Sequence, residues 1–391
     1  MAISWNIISI VVFYSLVAAF FWIRRKNISV QYKIILLYRS KFWAKVIGKF
    51  AKKSPKVWQW FGYFSIPAGF VGMALILGFL AWKLIEIFTI PGAMPAVSPV
   101  LPGIKIPGAS IYLPFWYGIL ALMFVIVVHE FAHGLVAESW GLKLKSAGVG
   151  LLALLPLAFV EPDPKKLKKL PVKKQLAIFG AGPFSNMVWA FIIFLIMVFI
   201  AAPVASNVLE PSGLYVEGVT ADLPAEIAGL QSGDTILAVD GAHINTTLDF
   251  VEYMSDVKPG QTITLTTDKG PLEITPIQNP ENTSKAYLGV QFSQNIDVKQ
   301  DIQDKYGRCP IIIFYISQLL NWIFVLNIGI GLVNLLPLGI MDGGQMLKTV
   351  LDSRLKKRKK LVKHIWTFIV AMSLFLLLMN LLGPYFIKAL I

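Results

Sequence analysis

The feature that most limits how this chain can fold is a set of long apolar runs. Each contains about 20 residues or more, which is the length an α-helix needs to cross the hydrocarbon layer of a membrane. With 56% hydrophobic residues and a mean hydropathy of +0.66, the chain is too apolar for a soluble enzyme. We therefore predict six helical membrane spans, at residues 3–23, 62–90, 112–138, 175–203, 311–336 and 364–388.

The basic residues lie beside these apolar runs, as juxtamembrane clusters do, so the net charge of +14 does not indicate nucleic-acid binding. Connections rich in lysine and arginine alternate with connections that have few. Because basic connections stay on the cytoplasmic side, we predict a multi-pass cell-membrane protein with both termini outside. The segments predicted to be cytoplasmic are 24–61, 139–174 and 340–363.

Two of these basic connections carry further patterns. In residues 27–56, Tyr32, Trp43 and other apolar residues recur at near-helical spacing among lysines, which favours a helix lying on an anionic leaflet; a solvated basic loop is the alternative. Residues 139–163 contain an apolar run too short to span. This run is a candidate re-entrant element, and a pair of short strands with one free edge could hold an extended substrate there.

The third span contains His129-Glu130-Phe131-Ala132-His133. Two histidines four residues apart on a helix project from nearly the same face, so both imidazoles can reach one metal ion. This spacing is the signature of zinc hydrolases, in which the intervening glutamate is the general base. We predict a zinc site with His129 and His133 as ligands and Glu130 as the catalytic base.

The fifth span ends in a helix-breaking segment beside an acidic residue. Pro337 and Gly339 predict a locally unwound stretch, and Asp342 follows it. The third and fifth spans run in the same direction through the membrane, so Asp342 should lie at the same depth as His129 and His133. Asp342 is therefore the predicted third ligand, and two histidines with one carboxylate leave a fourth tetrahedral position open, as a catalytic zinc needs.

Residues 204–309 are acidic and carry short strand patterns with turns, which predicts an extracytoplasmic α+β domain. The segments Pro224-Ala225 to Gly229-Leu230 and Ser232-Gly233-Asp234 to Asp240-Gly241 make it resemble a PDZ domain. The resemblance implies a groove that binds a peptide C-terminus by strand addition; a folded spacer that only blocks access is the alternative. The predicted carboxylate-binding loop and strand are Gly213, Leu214, Tyr215 and Val216.

Three motifs together resemble the site-2 protease family of intramembrane zinc metalloproteases. They are His129 to Gly134, Gly182-Pro183-Phe184-Ser185-Asn186, and Asn334-Leu335-Leu336-Pro337 followed by Asp342-Gly343. The resemblance covers residues 112–345 and implies one catalytic zinc ion and single-span membrane proteins as substrates. Asn186 and Asn334 are candidate substrate-binding residues, although Asn186 could equally tie two helices together.

These patterns predict a polytopic α-helical membrane protein with a re-entrant β element and an inserted PDZ-like domain. Its function would be regulated intramembrane proteolysis. A membrane scaffold with a peptide-binding module, a different metalloprotease and a metal-ion transporter are the competing classes, and the oligomeric state is not indicated. The predicted segments are 1–111 (spans 1 and 2), 112–203 (spans 3 and 4), 204–309 (PDZ-like), 310–345 (span 5) and 346–391 (basic segment and span 6).

Overall fold

The computed structural model describes residues 5–31, 34–90, 95–98, 100–104, 112–279, 282–339 and 341–390. The chain forms two compact units, Met1–Ile196 with Gln318–Ile391, and Met197–Ser317. The helices are α1 (Trp5–Ile23), α2 (Lys41–Lys53), α3 (Pro55–Thr89), α4 (Phe115–Ser139), α5 (Pro164–Leu167), α6 (Val172–Ile196), α7 (Ala202–Val208), α8 (Pro224–Ile227), α9 (Thr247–Asp256), α10 (Gln300–Tyr306), α11 (Ile312–Asn334), α12 (Asp342–Arg354) and α13 (Lys359–Leu390).

The strands are divided between the two units. The first unit contains β1 (Ile28–Gln31), β2 (Ile35–Ser40), β3 (Leu144–Leu152) and β4 (Leu155–Pro162). The second contains β5 (Leu209–Val219), β6 (Thr235–Val239), β7 (Ala242–His243), β8 (Ile263–Thr267), β9 (Gly270–Ile274), β10 (Ile277–Gln278), β11 (Ala286–Tyr287) and β12 (Val290–Val298).

Five helices in the described part of the chain are long and apolar enough to cross a membrane. They correspond to predicted spans two to six. Helix α1 lies at the first predicted span, 3–23. Its apolar stretch within the described residues, Ile7–Ile23, is shorter than the other five helices. The five are Pro55–Thr89, Phe115–Ser139, Val172–Val208, Cys309–Asn334 and Lys359–Gly383.

The first unit contains an antiparallel sheet in the order β1-β2-β3-β4. This sheet agrees with the prediction for residues 139–163 and differs from part of the prediction for residues 27–56. The predicted strand pair within 139–163 is present as β3 and β4, and β4 is an edge strand. The helix predicted across 27–56 is confined to α2, because Ile28–Gln31 and Ile35–Ser40 form the strands β1 and β2, which pair with each other, and β2 also pairs with β3. Local spacing could not reveal that partner, which lies more than 100 residues away. Tyr32 lies outside the described residues.

Helix α2 packs its small and apolar face onto α4 and the sheet. Ile47 and Ala51 are buried there with Leu135 and Ala147, and a side chain at Gly134 would meet Ile47 at 3.0 Å. The other face of α2 carries its lysines, and large apolar side chains such as Phe42 are exposed. A basic helix with exposed aromatic residues suits a membrane surface, as predicted for this segment.

Helices α3, α4 and α6 approach closely because small residues line their contacts. Val136, Ala137 and Ala181 share one buried cluster. Gly180 lies against Ser65 of α3 with no room for a side chain, and the buried Ser65 hydroxyl donates to the carbonyl of Ala177 at 3.2 Å. In an apolar surrounding, such close backbone contact and interhelical hydrogen bonding are the main means of holding helices together. The packing fixes α6 beside the histidine-bearing face of α4.

The second unit contains a mixed α+β fold around an antiparallel sheet ordered β12-β5-β6-β8-β9. Its core is apolar and includes Leu214, Ile236 and Leu265, all buried. Helix α9 covers the sheet, with the Phe250 ring centroid 5.0 Å from that of Phe292 on β12. Thr246 begins α9 with a capping box that also involves Asp249, which satisfies free amides of the first turn.

The prediction that Gly213 to Val216 form the peptide-binding strand is wrong. Those residues belong to β5, where Leu214 pairs with Gln294 of β12 on one side and with Ile236 of β6 on the other. An interior strand has no free edge to which a peptide could add. The free edge beside α9 belongs instead to β12, which is the outermost strand of the sheet.

Candidate metal centre

Three candidate ligands come from helices that meet inside the apolar unit. His129 and His133 lie one turn apart on α4, and Asp342 is the first residue of α12. The described residues between α11 and α12, 335–339 and 341, are not helical, as Pro337 predicted. Gly343 lets the start of α12 approach the backbone of Leu335 closely, because a Cβ at position 343 would collide with the Leu335 carbonyl. A larger residue at this position would push Asp342 away from the histidines.

The three side chains converge on one point. The Asp342 Oδ2 atom lies 3.1 Å from Nε2 of His129 and 3.4 Å from Nε2 of His133, and the two Nε2 atoms are 3.2 Å apart. Tetrahedral zinc with bonds of about 2.0–2.1 Å requires ligand atoms about 3.3 Å from one another. The three distances therefore fit a single zinc ion, with one coordination position left open.

The second nitrogen of each histidine ring has a partner that prepares Nε2 for a metal. The Nδ1 atom of His133 lies 2.6 Å from the carbonyl oxygen of Ile178. A carbonyl oxygen can only accept a hydrogen bond, so Nδ1 carries the ring proton and Nε2 is left with a free lone pair. Partners of this kind orient metal-binding histidines. Ile178 lies five residues before Pro183, the proline inside α6.

Asn186 lies against the second ring nitrogen of His129. Its amide nitrogen lies 3.1 Å from His129 Nδ1, while its buried Oδ1 has no hydrogen-bond partner among the described residues. Turning the amide by half a turn would let Oδ1 accept the Nδ1 proton, as a ring bound to metal through Nε2 requires. The unpartnered oxygen thus matches a metal-binding tautomer of His129.

Gly182 leaves the space that an ion would occupy. A Cβ at this position would lie in steric conflict with Nε2 of both His129 and His133. The glycine therefore keeps α6 close to the histidines while the volume between them stays free of protein atoms. Such a cradle, together with the donor set of two imidazoles and one carboxylate, fits a catalytic zinc site.

Glu130 is held by the edge strand of the sheet. Its Oε2 atom accepts a hydrogen bond from the backbone amide of Val160 at 2.9 Å. Val160 is in β4, and its amide points away from β3 toward α4, so this contact lies on the free edge of the sheet. The fixed carboxylate and the unpaired edge of β4 therefore meet at one place.

The other predicted site residues do not all join this centre. The Asn186 side chain is fully buried against His129, so it links α6 to α4, which was one of its two predicted roles. Asn334 is the last residue of α11 and is half-buried; its role in substrate binding stays a prediction. Sequence reasoning missed Val160, and it gave Gly182 no role beyond its place in a family motif, because both contacts join elements that are distant in the chain.

Comparisons with known proteins agree with this geometry. The model of Peptidase family M50 matches residues 117–377. An uncharacterized protein of Methanocaldococcus jannaschii is 33% identical over 328 residues, covering 81% of this chain and 78% of that protein. The chloroplast membrane metalloprotease ARASP of Arabidopsis thaliana is 25% identical over 359 residues, covering 69% and 79%. The PDZ domain of an SdrC-like protein of Listeria monocytogenes is a similar solved structure, with 26% identity, coverage of 21% and 87%, and a TM-score of 0.19.

Two histidines and an aspartate converge on long apolar helices, with a glutamate beside them. Together with the family match, this arrangement defines the class: the protein is a multi-pass membrane metalloprotease. The chain belongs to Peptidase family M50, in agreement with its resemblance to site-2 proteases. Its fold class includes the predicted polytopic helical membrane protein, and the α+β insert carries the sequence motifs that resemble a PDZ domain.

Proposed function

We propose that this chain is a site-2-type zinc endopeptidase that hydrolyses peptide bonds in or near the transmembrane segments of other membrane proteins. Regulated intramembrane proteolysis of single-span substrates is the corresponding process. The observation that supports it best is the convergence of three ligand atoms within 4.8 Å of one another on membrane-length helices. Buried ionisable groups in such helices are costly and are generally kept for function.

His129, His133 and Asp342 would hold the zinc ion. When bound there, zinc would supply a Lewis acid that stabilises negative charge on the carbonyl oxygen under attack. Glu130 takes a proton from the attacking water and returns it to the leaving nitrogen of the peptide bond. The Val160 amide holds the Glu130 carboxylate in place during both transfers, and Asn186 orients the His129 ring.

The substrate must expose its backbone before this chemistry can begin. A transmembrane helix hides its carbonyl groups in its own hydrogen bonds, so the bond to be cut has to be unwound. The free edge of β4 offers backbone partners to an extended segment by strand addition, and it lies beside Glu130. The backbone hydrogen bonds that the substrate helix loses on unwinding are therefore replaced by new ones at the edge of the sheet.

We further propose the placement of the protein in the cell membrane. The basic segments that contain α2 and the start of α13 lie on the cytoplasmic side with the zinc site near it, as the distribution of lysine and arginine favours. The PDZ-like insert is then extracytoplasmic. A substrate's free C-terminus would add to the open edge of β12 beside α9, rather than to Gly213–Val216, because β12 is the outermost strand.

Cleavage of a tagged single-span reporter by the purified full chain in lipid vesicles tests the proposed function. We expect cleavage within or next to the reporter's apolar span, its loss on treatment with a zinc chelator, and its return on addition of zinc, because the site holds the ion through only three protein ligands. Product masses locate the bond that is cut. Cleavage that survives complete removal of metal would contradict the proposal.

The hydrogen bond from Val160 to Glu130 predicts a specific effect of proline. Val160→Pro removes the amide proton without breaking the sheet, because an edge strand tolerates proline where its amide points outward. Losing one hydrogen bond to a charged carboxylate should lower kcat by about tenfold or more while KM changes little. Val160→Ala keeps the amide and is the matched control. Equal kcat values for the two variants would show that this amide does not position the base.

A further inference from the structure

An apolar cavity of about 420 Å³ lies directly beside Glu130. It is formed within the first unit, between one face of the β1–β4 sheet and one face of α4. Among the described residues that line it, Glu130 is the only charged one. A cavity of this size falls in the range that proteins use to bind apolar groups. An occupant of this space would therefore contact apolar side chains and lie beside the proposed catalytic base.

The floor of the cavity is one row of side chains across three strands. Tyr38 of β2 pairs with Val149 of β3, and Val149 pairs with Ala158 of β4. Directly paired residues in an antiparallel sheet point to the same face. All three line the cavity, so this face of the sheet is turned toward α4. Ala158 is the smallest of the three and is nearest the free edge.

The opposite wall is one stripe of α4. Met123, Val127 and Glu130 lie at positions i, i+4 and i+7, which share a helix face, and all three line the cavity. Trp43 of α2 and Phe20 of α1 close the remaining sides. Glu130 and Val160 both line the cavity, so it borders the hydrogen bond between them at the free edge of β4.

We propose that this cavity is the specificity pocket for a bulky apolar side chain of the substrate, on a residue next to the bond that is cut. The inference rests on the proposed function and names the substrate feature that the site selects. A strand added to β4 projects its side chains alternately to the two faces of the sheet. Those on the face of Ala158 and Val160 enter the cavity, beside Glu130.

The chemistry of the lining determines which side chains fit. Leucine, phenylalanine or methionine would exchange membrane or water contacts for close packing in the cavity. A charged side chain would lose its hydration and find only Glu130 as a possible ionic partner, at a large cost. Alanine would leave most of the space empty. The pocket thus selects for large apolar residues and against small and acidic ones.

The first arm of the test measures cleavage. After product masses locate the cut in the tagged reporter, the residues on each side of it are changed in turn to Ala, Leu, Phe and Asp. At the side that enters the pocket, we expect Leu and Phe to give kcat/KM values about tenfold or more above those of Ala and Asp. Ala158→Phe, which fills the pocket, should reverse the order of Leu and Ala, and Val149→Phe from the neighbouring strand should do the same.

Leu157→Phe is the matched control, because Leu157 lies on β4 but faces the other side of the sheet and does not line the cavity. It should keep the wild-type order of preference. A misfolded variant would lose all substrates in proportion, whereas a filled pocket changes their order. Uniform losses in Ala158→Phe and Val149→Phe, or a wild type that cuts Ala and Leu reporters equally, would overturn the pocket.

The second arm does not depend on cleavage. In the full chain with Cys309→Ser, Met123→Cys places a thiol in the pocket, and Leu122→Cys places one on a different face of α4 as the control. A single cysteine is moved along the reporter's span, and disulfide formation is measured. We expect crosslinks to Met123→Cys at one or two reporter positions. Crosslinks without any cleavage would support the pocket and refute the proteolytic function; cleavage without preference or crosslinks would refute only the pocket.

Discussion

Glu130→Gln is expected to abolish proteolysis while zinc stays bound. Glutamine has the size of glutamate and still offers an oxygen to the Val160 amide, so the site should keep its geometry. Glutamine cannot accept a proton from the attacking water or return it to the leaving nitrogen. General acid–base catalysis by a positioned side chain contributes about 100-fold to 10,000-fold, and a loss of that size in kcat, with zinc content unchanged, is the predicted result.

Glu138→Gln is the matched control for this variant. Glu138 lies on the same helix and is also buried, and its carboxylate accepts the amide of Leu144 at 2.8 Å. It is two turns beyond Glu130 and does not line the cavity beside the base. We expect Glu138→Gln to cleave the reporter within a few-fold of the wild type. Wild-type cleavage by Glu130→Gln itself would refute the assignment of the base.

Gly182→Ala is expected to remove zinc and proteolysis together, although every ligand remains. The added methyl group would lie between the Nε2 atoms of His129 and His133, where the ion has to bind. Because α6 is held against α3 and α4 by buried packing, the helix cannot easily withdraw to make room. The measurement is zinc per chain in purified protein, together with the elution volume and helix content that report an intact fold.

The matched control is Gly78→Ala, a change of the same size in the transmembrane helix α3. A Cβ at Gly78 meets no atom within 4 Å, and alanine favours a helix more than glycine does. This variant should bind zinc and cleave the reporter as the wild type does. Normal zinc content in Gly182→Ala would mean that the ion does not sit between the two imidazoles.

The parts of this site that could be predicted from the sequence are those whose interacting residues are close together along the chain or are marked by local signals. Hydropathy found the long helices, and the spacing of His129 and His133 needs only the helical repeat. Asp342 was found because Pro337 and Gly339 mark an unwound segment next to an acidic residue. These signals are local, and the structure brings the three ligand atoms together as the spacing predicted.

The features that the sequence did not predict all depend on pairing between distant segments. Ile28–Gln31 and Ile35–Ser40 form strands because β2 pairs with β3, and this pairing overrides their near-helical spacing. The edge of the sheet in the second unit is set by the pairing of β12 with β5, so Gly213–Val216 lie on an interior strand. The contacts of Val160 with Glu130 and of Gly182 with the histidines likewise join different elements, and neither residue type indicates such a role by itself.

The most direct test of the central claim is the zinc content of the purified full chain and of its Asp342→Ala variant. Asp352→Ala serves as the control, since Asp352 is exposed on the same helix, α12. We predict about one zinc ion per chain in the wild type and in Asp352→Ala, and a large loss in Asp342→Ala, because only two histidines would then hold the ion. Equal zinc content in all three proteins would contradict the account.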